Sequence, residues 1–429
     1  MTEKKLFVLL TTLIVSGNSM GAWTFGGQAG PYVNALTLPS SRTVPTTKAG
    51  SYTELRLENK WSETKFKADL GLRTDAFAHD AVETFQFIPK NFYLQQKAKS
   101  VIFKLGVQTL IIDGPDVINP ADVVHSKNWV DPTSPITMGS AGLSMSQEIE
   151  KWNWEVFYIP YQTKPVLPGA HSPWLPRSKR LPVESEKIEF RIPDNTEYQY
   201  VASKELNQAL RNNFSAKLQR KSERFEIQAV YYQGLSQTPF LLTKLKANLI
   251  QSEPIQIYQI KDTVKLVPLY YRQQVWASTF VIPFSTWSIK GGWSIQKPYA
   301  DYRVPNQTTT SVIGVEKNYE TSRGMVTGIF QYIQQQRLQS VQISFLRSLF
   351  QKAWSAGVRV PWNEELSFLL GGLYDSQGKS SLYRASTQYR LSNSWSLEAG
   401  VQYLEGPKDT LIGLYSRYDS YQGKLLYSW

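Results

Sequence analysis

Apolar and polar residues alternate with a period of two along most of this chain, the spacing that puts successive side chains on opposite faces of a β-strand. In the final stretch Tyr421, Gly423, Leu425, Tyr427 and Trp429 share one face. Gln422, Lys424 and Ser428 share the other, with Leu426 the one apolar residue among them. The same period sets Leu55, Leu57 and Trp61 against Glu54, Arg56, Glu58 and Lys60, then Phe66, Ala68, Leu70 and Leu72 against Lys65, Lys67, Asp69 and Arg73. It returns at 101–109, where Val101, Phe103, Leu105 and Val107 oppose Lys104 and Gln108. At 151–161 Trp152, Trp154, Val156 and Tyr158 oppose Lys151, Asn153 and Glu155. Further strands are read at 84–96, 141–147, around 214–218 and 225–231, and at 269–282, 287–295, 309–319, 324–333, 352–362, 366–374, 382–391 and 395–403, with 30–38 the weakest. Charges at every second position have no place in a dry core, but they suit a wet lumen whose other wall faces lipid. The pattern predicts an all-β fold, a transmembrane antiparallel up-and-down β-barrel of about 18 strands, with about 16 as the alternative.

Short connections near Ser62, Ala98, Ile149, Lys221, Pro283, Glu320, Asn363 and Ser392 alternate with longer ones. Barrels have short periplasmic turns and longer extracellular loops. Counting back from a periplasmic C-terminus puts every short connection on the periplasmic side, provided that 30–38 is kept as a strand. The long extracellular loops are expected at about 110–139, 162–210 and 233–262. Within the first, Ile112, Val117, Ile118, Val123, Val124, Trp129 and Val130 are too apolar for a loop left in water. This segment is expected to fold into the barrel, line its wall and bring Asp113, Asp116 and Asp122 near Lys65, Lys67, Arg73 and Lys104, a constriction of acids facing bases. The Pro-rich second loop, with Arg177, Lys179 and Arg180, is expected over the mouth.

Lys4 and Lys5, an apolar run over 6–15 and small residues up to Gly21 read as a secretory signal peptide, residues 1–21, cleaved before Ala22, leaving 22–429 as the barrel. No later apolar run is long enough for a spanning helix. An exported chain of this kind meets a membrane through strands, so the expected location is the outer membrane of a Gram-negative cell. There is no cysteine, which excludes a disulfide framework and thiolate metal sites. The 13 Trp, 24 Tyr and 19 Phe suit the aromatic girdles of a barrel. A formal charge of +12 suggests nucleic acid in a cytosolic protein; behind a signal peptide no nucleic-acid partner is expected. Among inward positions Arg56, Lys60, Lys65, Lys67, Arg73, Lys104, Lys151, Lys217, Lys290, Arg359, Arg384, Arg390 and Lys424 outnumber Glu54, Glu58, Asp69, Glu155, Glu226 and Glu398. A basic lumen favours anions.

Three histidines bound the chemistry. His79 precedes Asp80, and His125 and His171 each precede a serine. Adjacent residues of an extended chain point to opposite faces, so neither His-Ser pair forms a dyad on a strand, and all three lie in expected loops. The chain is read as no enzyme, with no cofactor and no metal. Asp113, Asp116, Asn119 and Asp122 offer oxygen ligands for Ca²⁺, but at a spacing unlike an EF-hand; turn-forming Asp, Asn, Gly and Pro account for the same residues.

The terminal aromatic strand with apolar residues two and four positions earlier resembles the C-terminal signature of bacterial outer-membrane β-barrels. Ile118-Asn-Pro-Ala-Asp122, Lys164-Pro-Val-Leu-Pro-Gly-Ala170 with Trp174-Leu-Pro176, and Tyr271-Arg-Gln-Gln274 are similar to stretches of poorly characterised porin-like outer-membrane barrels of Gram-negative bacteria. Such families usually carry Trp-Gly where this chain has Ile111 and Ile112. The resemblance implies a channel and supplies no catalytic residue. The expected function is a porin-like channel for passive diffusion of small hydrophilic solutes, with an anion preference. The alternative is a barrel-anchored surface binding protein that uses its long loops. The expected partners are outer-membrane lipid, those solutes and, during biogenesis, the barrel-assembly machinery that reads Tyr427 and Trp429 as an assembly signal.

Overall fold

The computed structural model describes residues 23–37, 46–176, 179–181, 187–261, 263–299, 307–337, 351–407, 410–416 and 418–429. The signal segment and Arg177 lie outside these residues. Eighteen strands form the wall. They are Trp23–Thr37 (β1), Thr47–Trp61 (β2), Thr64–Thr74 (β3), Phe85–Ala98 (β4), Val101–Gln108 (β5), Ser140–Ile149 (β6), Trp152–Tyr161 (β7), Arg211–Lys221 (β8) and Glu226–Leu235 (β9). The second half comprises Arg272–Phe284 (β10), Trp287–Pro298 (β11), Thr308–Thr321 (β12), Gly324–Arg337 (β13), Lys352–Pro361 (β14), Leu366–Asp375 (β15), Ser380–Arg390 (β16), Trp395–Glu405 (β17) and Asp419–Ser428 (β18). Each pairs antiparallel with its sequence neighbour, and β1 pairs with β18, so the sheet has no edge. The weakly patterned first strand is real and begins earlier than its alternation suggested, at Trp23. Eighteen strands, not sixteen, close the ring.

Register explains why alternation was so legible. Glu58 faces Lys67 and Arg56 faces Asp69 across β2 and β3, while Leu57 faces Ala68, so polar and apolar rows stay separate from strand to strand. The outward row is apolar and exposed, as at Leu105 (64 %) and Trp276 (59 %), whereas inward Val275 is wholly buried. A wall with apolar residues outside and charges inside fits hydrocarbon around it and water within. Leu426, the intruder of the last strand, points inward and is buried. Where β1 meets β18, a Cβ on Gly30 would lie 1.7 Å from the Leu425 carbonyl oxygen, so only glycine lets the two backbones approach.

Tight turns such as Ser62–Glu63, Lys99–Ser100 and Ser285–Thr286 lie at one end, with both ends of the described chain; the longer connections lie at the other. Connections expected to be irregular are partly sheet. Ile188–Ile192 pairs parallel with Gln256–Ile260, which joins Ala247–Gln251, and Lys179–Leu181 adds antiparallel to the first. Glu197–Tyr200 and Lys204–Glu205 both pair parallel with Thr263–Tyr270, whose other partner is Phe240–Lys244. The connections 162–210 and 236–271 therefore fold together, around Leu175, Ile192, Tyr198, Ile260, Val264 and Leu266.

Candidate functional site

The chain leaves the wall after β5, where Asn91 Oδ1 accepts from both the backbone N–H and the hydroxyl of Thr109 at 3.2 Å. It then runs inside the ring. Lys217 Nζ donates to the Ile111 carbonyl (3.1 Å), and Thr279 Oγ1 to that of Asp113 (2.7 Å). Lys290 grips Asp116 (2.9 Å), and the Val117 N–H donates to Gln331 Oε1 (3.2 Å). These anchors lie on β8, β10, β11 and β13, so the segment follows the inner wall. At its far point Ile118 packs against Val312, Ile333, Ala353 and Leu373. There the chain turns back, with Asn119 donating to the Ile112 carbonyl (2.8 Å) and accepting from the Ala121 N–H (3.0 Å). The returning Ala121, Val123 and Val124 seat on Phe157, Ile159, Val230, Tyr232, Val275 and Ala277, all inward residues of β7, β9 and β10.

His125 pins this return. It is 2 % exposed; Nε2 accepts from the Leu110 N–H at 2.6 Å, which leaves Nδ1 to donate to Ser140 Oγ at 3.2 Å. Burial pulls its pKa down to about 4, so the ring is neutral near pH 7. The residue is a structural clasp, and Ser126, beside it, instead donates to the Thr163 carbonyl.

The expected juxtaposition of three acids with four bases does not form. Asp116 pairs with Lys290, Asp122 with Lys127 (2.8 Å), and Asp113 accepts from Gln228 Nε2 (3.3 Å). On the other side Lys65 pairs with Glu58 (2.5 Å), and Lys104 lies 3.8 Å from Glu155. Arg73 stacks over Tyr32 at 4.4 Å. Lys67 has no carboxylate within 4 Å among the described residues. The physical reason is the wall: inward apolar side chains are on β7, β9, β10 and β12–β15, and the apolar segment seats there rather than on the charged β2–β5 wall. Because the three carboxylates have separate partners, they offer no shared oxygen cage for a cation.

A second connection enters from β7. Gln162, buried, donates to the Val124 carbonyl (2.7 Å) and accepts from Asn213 (2.9 Å) and the Tyr232 hydroxyl (3.0 Å). Further along, the Gly169 N–H donates to Glu83 Oε1 (2.9 Å), and Glu83 is held by Lys48 at 2.6 Å. A Cβ on Gly169 would lie 2.3 Å from an Asp80 carboxylate oxygen. His171 donates its backbone N–H to Asp80 (2.8 Å) and sets its ring nitrogen 3.2 Å from the other oxygen, with the His79 ring 5.9 Å away. Trp174 then packs with Leu404, Ile412 and Tyr418, and its carbonyl accepts from the Tyr415 hydroxyl at 2.7 Å, a phenol that burial keeps neutral. Leu404 is an inward residue of β17, nearly opposite β7 in the ring. The segment 162–176 is thus a strap across the mouth. Lys179 and Arg180 continue it as backbone in the small sheet.

Inward side chains on the loop side of the wall are buried in nearly every sector, as at Leu36, Lys48, Gln108, Ile159, Ile333, Leu373 and Leu404. On the turn side Arg56, Lys60, Arg359 and Arg390 are exposed within the ring. Glu54, on β2, is gathered by Gln28 (3.1 Å), Tyr52 (2.8 Å), Arg56 and Lys90 (3.0 Å each). Lys90 reaches it because a bulge in β4 inserts one residue opposite Asp69 and Leu70. Tyr427 and Trp429 face outward and stack at 6.0 Å, and the Trp429 N–H donates to the Gly27 carbonyl at 3.2 Å.

No protein-family model and no curated protein matches the sequence. Among solved structures the chain is similar to an outer membrane protein of Vibrio cholerae, OmpT in its trimer form, at 10 % identity and a TM-score of 0.47, over 96 % of this chain and 100 % of that one. OccK11 of Pseudomonas aeruginosa gives 8 % identity and 0.48, over 95 % of each chain. A mutant of the Rh. blastica porin gives 8 % and 0.42, over 95 % of this chain and 100 % of that one. The barrel itself stands on its own hydrogen-bonded strand order.

Proposed function

We propose that the chain is a porin-type channel of a Gram-negative outer membrane, passing small hydrophilic solutes by passive diffusion with a preference for anions. Its tight turns are then periplasmic and its long connections extracellular. The inside-out polarity of the wall supports a wet lumen, and a ring of this strand number is wide enough for an aqueous channel. The observation that carries the anion preference is what remains after pairing. Lys60, Lys67, Arg359, Arg384 and Arg390 point inward and have no carboxylate within 4 Å among the described residues; they outnumber the inward acids without a base, Asp69, Glu148 and Glu320, while Glu54, Glu58, Glu155, Glu316 and Glu398 each sit beside a base. Surplus cations along a path favour anions. Lys65, Arg73 and Lys104 line the same route in this reading, with Asp113 and Asp116 facing it from the inward segment.

Planar-bilayer recording tests both parts. Reversal potentials in a low-salt gradient should show anion preference, and K67Q/R359Q/R390Q should move the anion-to-cation ratio toward one, an effect that high salt screens. Absence of current at every voltage overturns the channel; an unmoved ratio overturns the cation argument. A second reading, in which the barrel anchors a recognition surface, is favoured by Leu249 (51 % exposed) and Ile250 (52 %) on the outer strand of one loop sheet. Silent bilayers with a correctly folded barrel would favour it.

A further inference from the structure

On the outward face at the tight-turn end the side chains are aromatic around much of the ring, including Trp152, Trp287, Trp362 and Trp395. Among the described residues two lipid-facing strand positions at this end are charged, and both are cations: Arg220 of β8 and Lys317 of β12. Each stands directly opposite a tryptophan on the same face, Arg220 across from Trp152 and Lys317 across from Trp287. The Arg220 guanidinium lies 5.3 Å from the Trp152 ring and 5.4 Å from that of Phe225. Lys317 Nζ lies 4.3 Å from the Trp287 ring and 4.4 Å from that of Tyr319. Arg323, in the turn between β12 and β13, adds a third such pair at 4.2 Å over Trp362. None of the three has a carboxylate within 4 Å among the described residues.

A ring satisfies one face of a guanidinium or one side of an ammonium and leaves the remaining N–H groups without acceptors among the described residues. At the boundary of a bilayer the acceptors within reach are lipid headgroups. The contrast within the same girdle sharpens the argument. On the arc of β17 and β18, Tyr427 stacks with Trp429 and meets Trp395 at a tilt, and no cation sits over them among the described residues. A girdle that only marked the boundary would need no cations; here they are confined to the arc from β7 to β14.

We propose that this arc binds anionic phospholipids of the adjoining leaflet, with Arg220, Lys317 and Arg323 holding headgroup phosphates and the neighbouring rings resting on glycerol and upper acyl chain. The barrel would then carry a preferred lipid annulus on one side.

Native mass spectrometry of the intact protein tests this, using detergent micelles doped with phosphatidylglycerol or phosphatidylcholine. The wild type should retain phosphatidylglycerol preferentially. Loss of one cation should weaken retention about fivefold, so K317Q alone reports the site where R220Q/K317Q/R323Q fails to assemble, as judged by heat-modifiable gel migration. W395A, on the opposite arc, should leave retention unchanged. Equal retention of the two lipids by the wild type, retention undiminished in K317Q, or displacement of the lipid by equimolar inorganic phosphate would each overturn the proposal.

Discussion

Acid should loosen the inward segment through His125, and the size of the effect follows from its surroundings. Seated, the ring accepts from Leu110 and is buried, which holds its pKa at about 4. Released into water it regains a value of about 6.5. Between those two pH values the released form binds a proton that the seated form does not, so the seat is fully stable above about pH 6.5 and weakens as pH falls toward 4. The linkage is about 1.4 kcal/mol per pH unit, or about 3 kcal/mol from pH 7 to 4, which raises the released population on the order of a hundredfold. The chain has no cysteine, so Val124→Cys, buried against the inner wall, supplies a single reporter thiol. Its labelling rate, normalised to that of an exposed Gln377→Cys variant, should rise on the order of a hundredfold across this range. Adding His125→Gln should flatten the profile. A rise of equal size in the His125→Gln background, or none in the parent, would refute the reasoning.

Trp174→Ala removes the anchor of the strap at β17 and costs about 3–5 kcal/mol of packing. Single-channel conductance should increase; an unchanged value would place residues 162–176 outside the permeation path. Trp429→Lys changes a half-exposed boundary residue, at about 0–1 kcal/mol in folding. Surface yield should fall several-fold while the denaturant midpoint of the protein that does assemble barely moves, because the proposed reader of this residue is the assembly machinery; a parallel fall in both would make the effect one of stability.

The wall was legible because its code is local. In β2 and β3 each residue's identity announces its face, and even β1 was recoverable from the phase of short and long connections. The inner arrangement was harder, since Asp116 meets Lys290 only after the chain has crossed the ring. A signal for that course was nevertheless present. Val230 and Tyr232 sit at positions that alternation assigns to the lumen, beside Ala229 and Tyr231 on the lipid side, so this strand is apolar on both faces. Wall of that kind must be covered, and the nearest apolar segment that adds no strand to the barrel is 111–139. The loop sheets left no comparable trace. Ile188–Ile192 and Gln256–Ile260 are short, pair in parallel, and are separated by strands of the barrel itself.

The pairing of β1 with β18 joins residues such as Thr37 and Asp419, 382 positions apart. A closed ring offers no side entrance, yet the strap and the segment beneath it contact β10 to β17, all of which follow them in the chain. Much of the wall that seats them is therefore built from residues that come later in the chain than they do. Without β18 one side of β1 would be left unpaired, its other side being held by β2. Contacts at that sequence separation carry the largest loop-closure entropy, so the seam between β1 and β18 depends on the cohesion of all the wall between them.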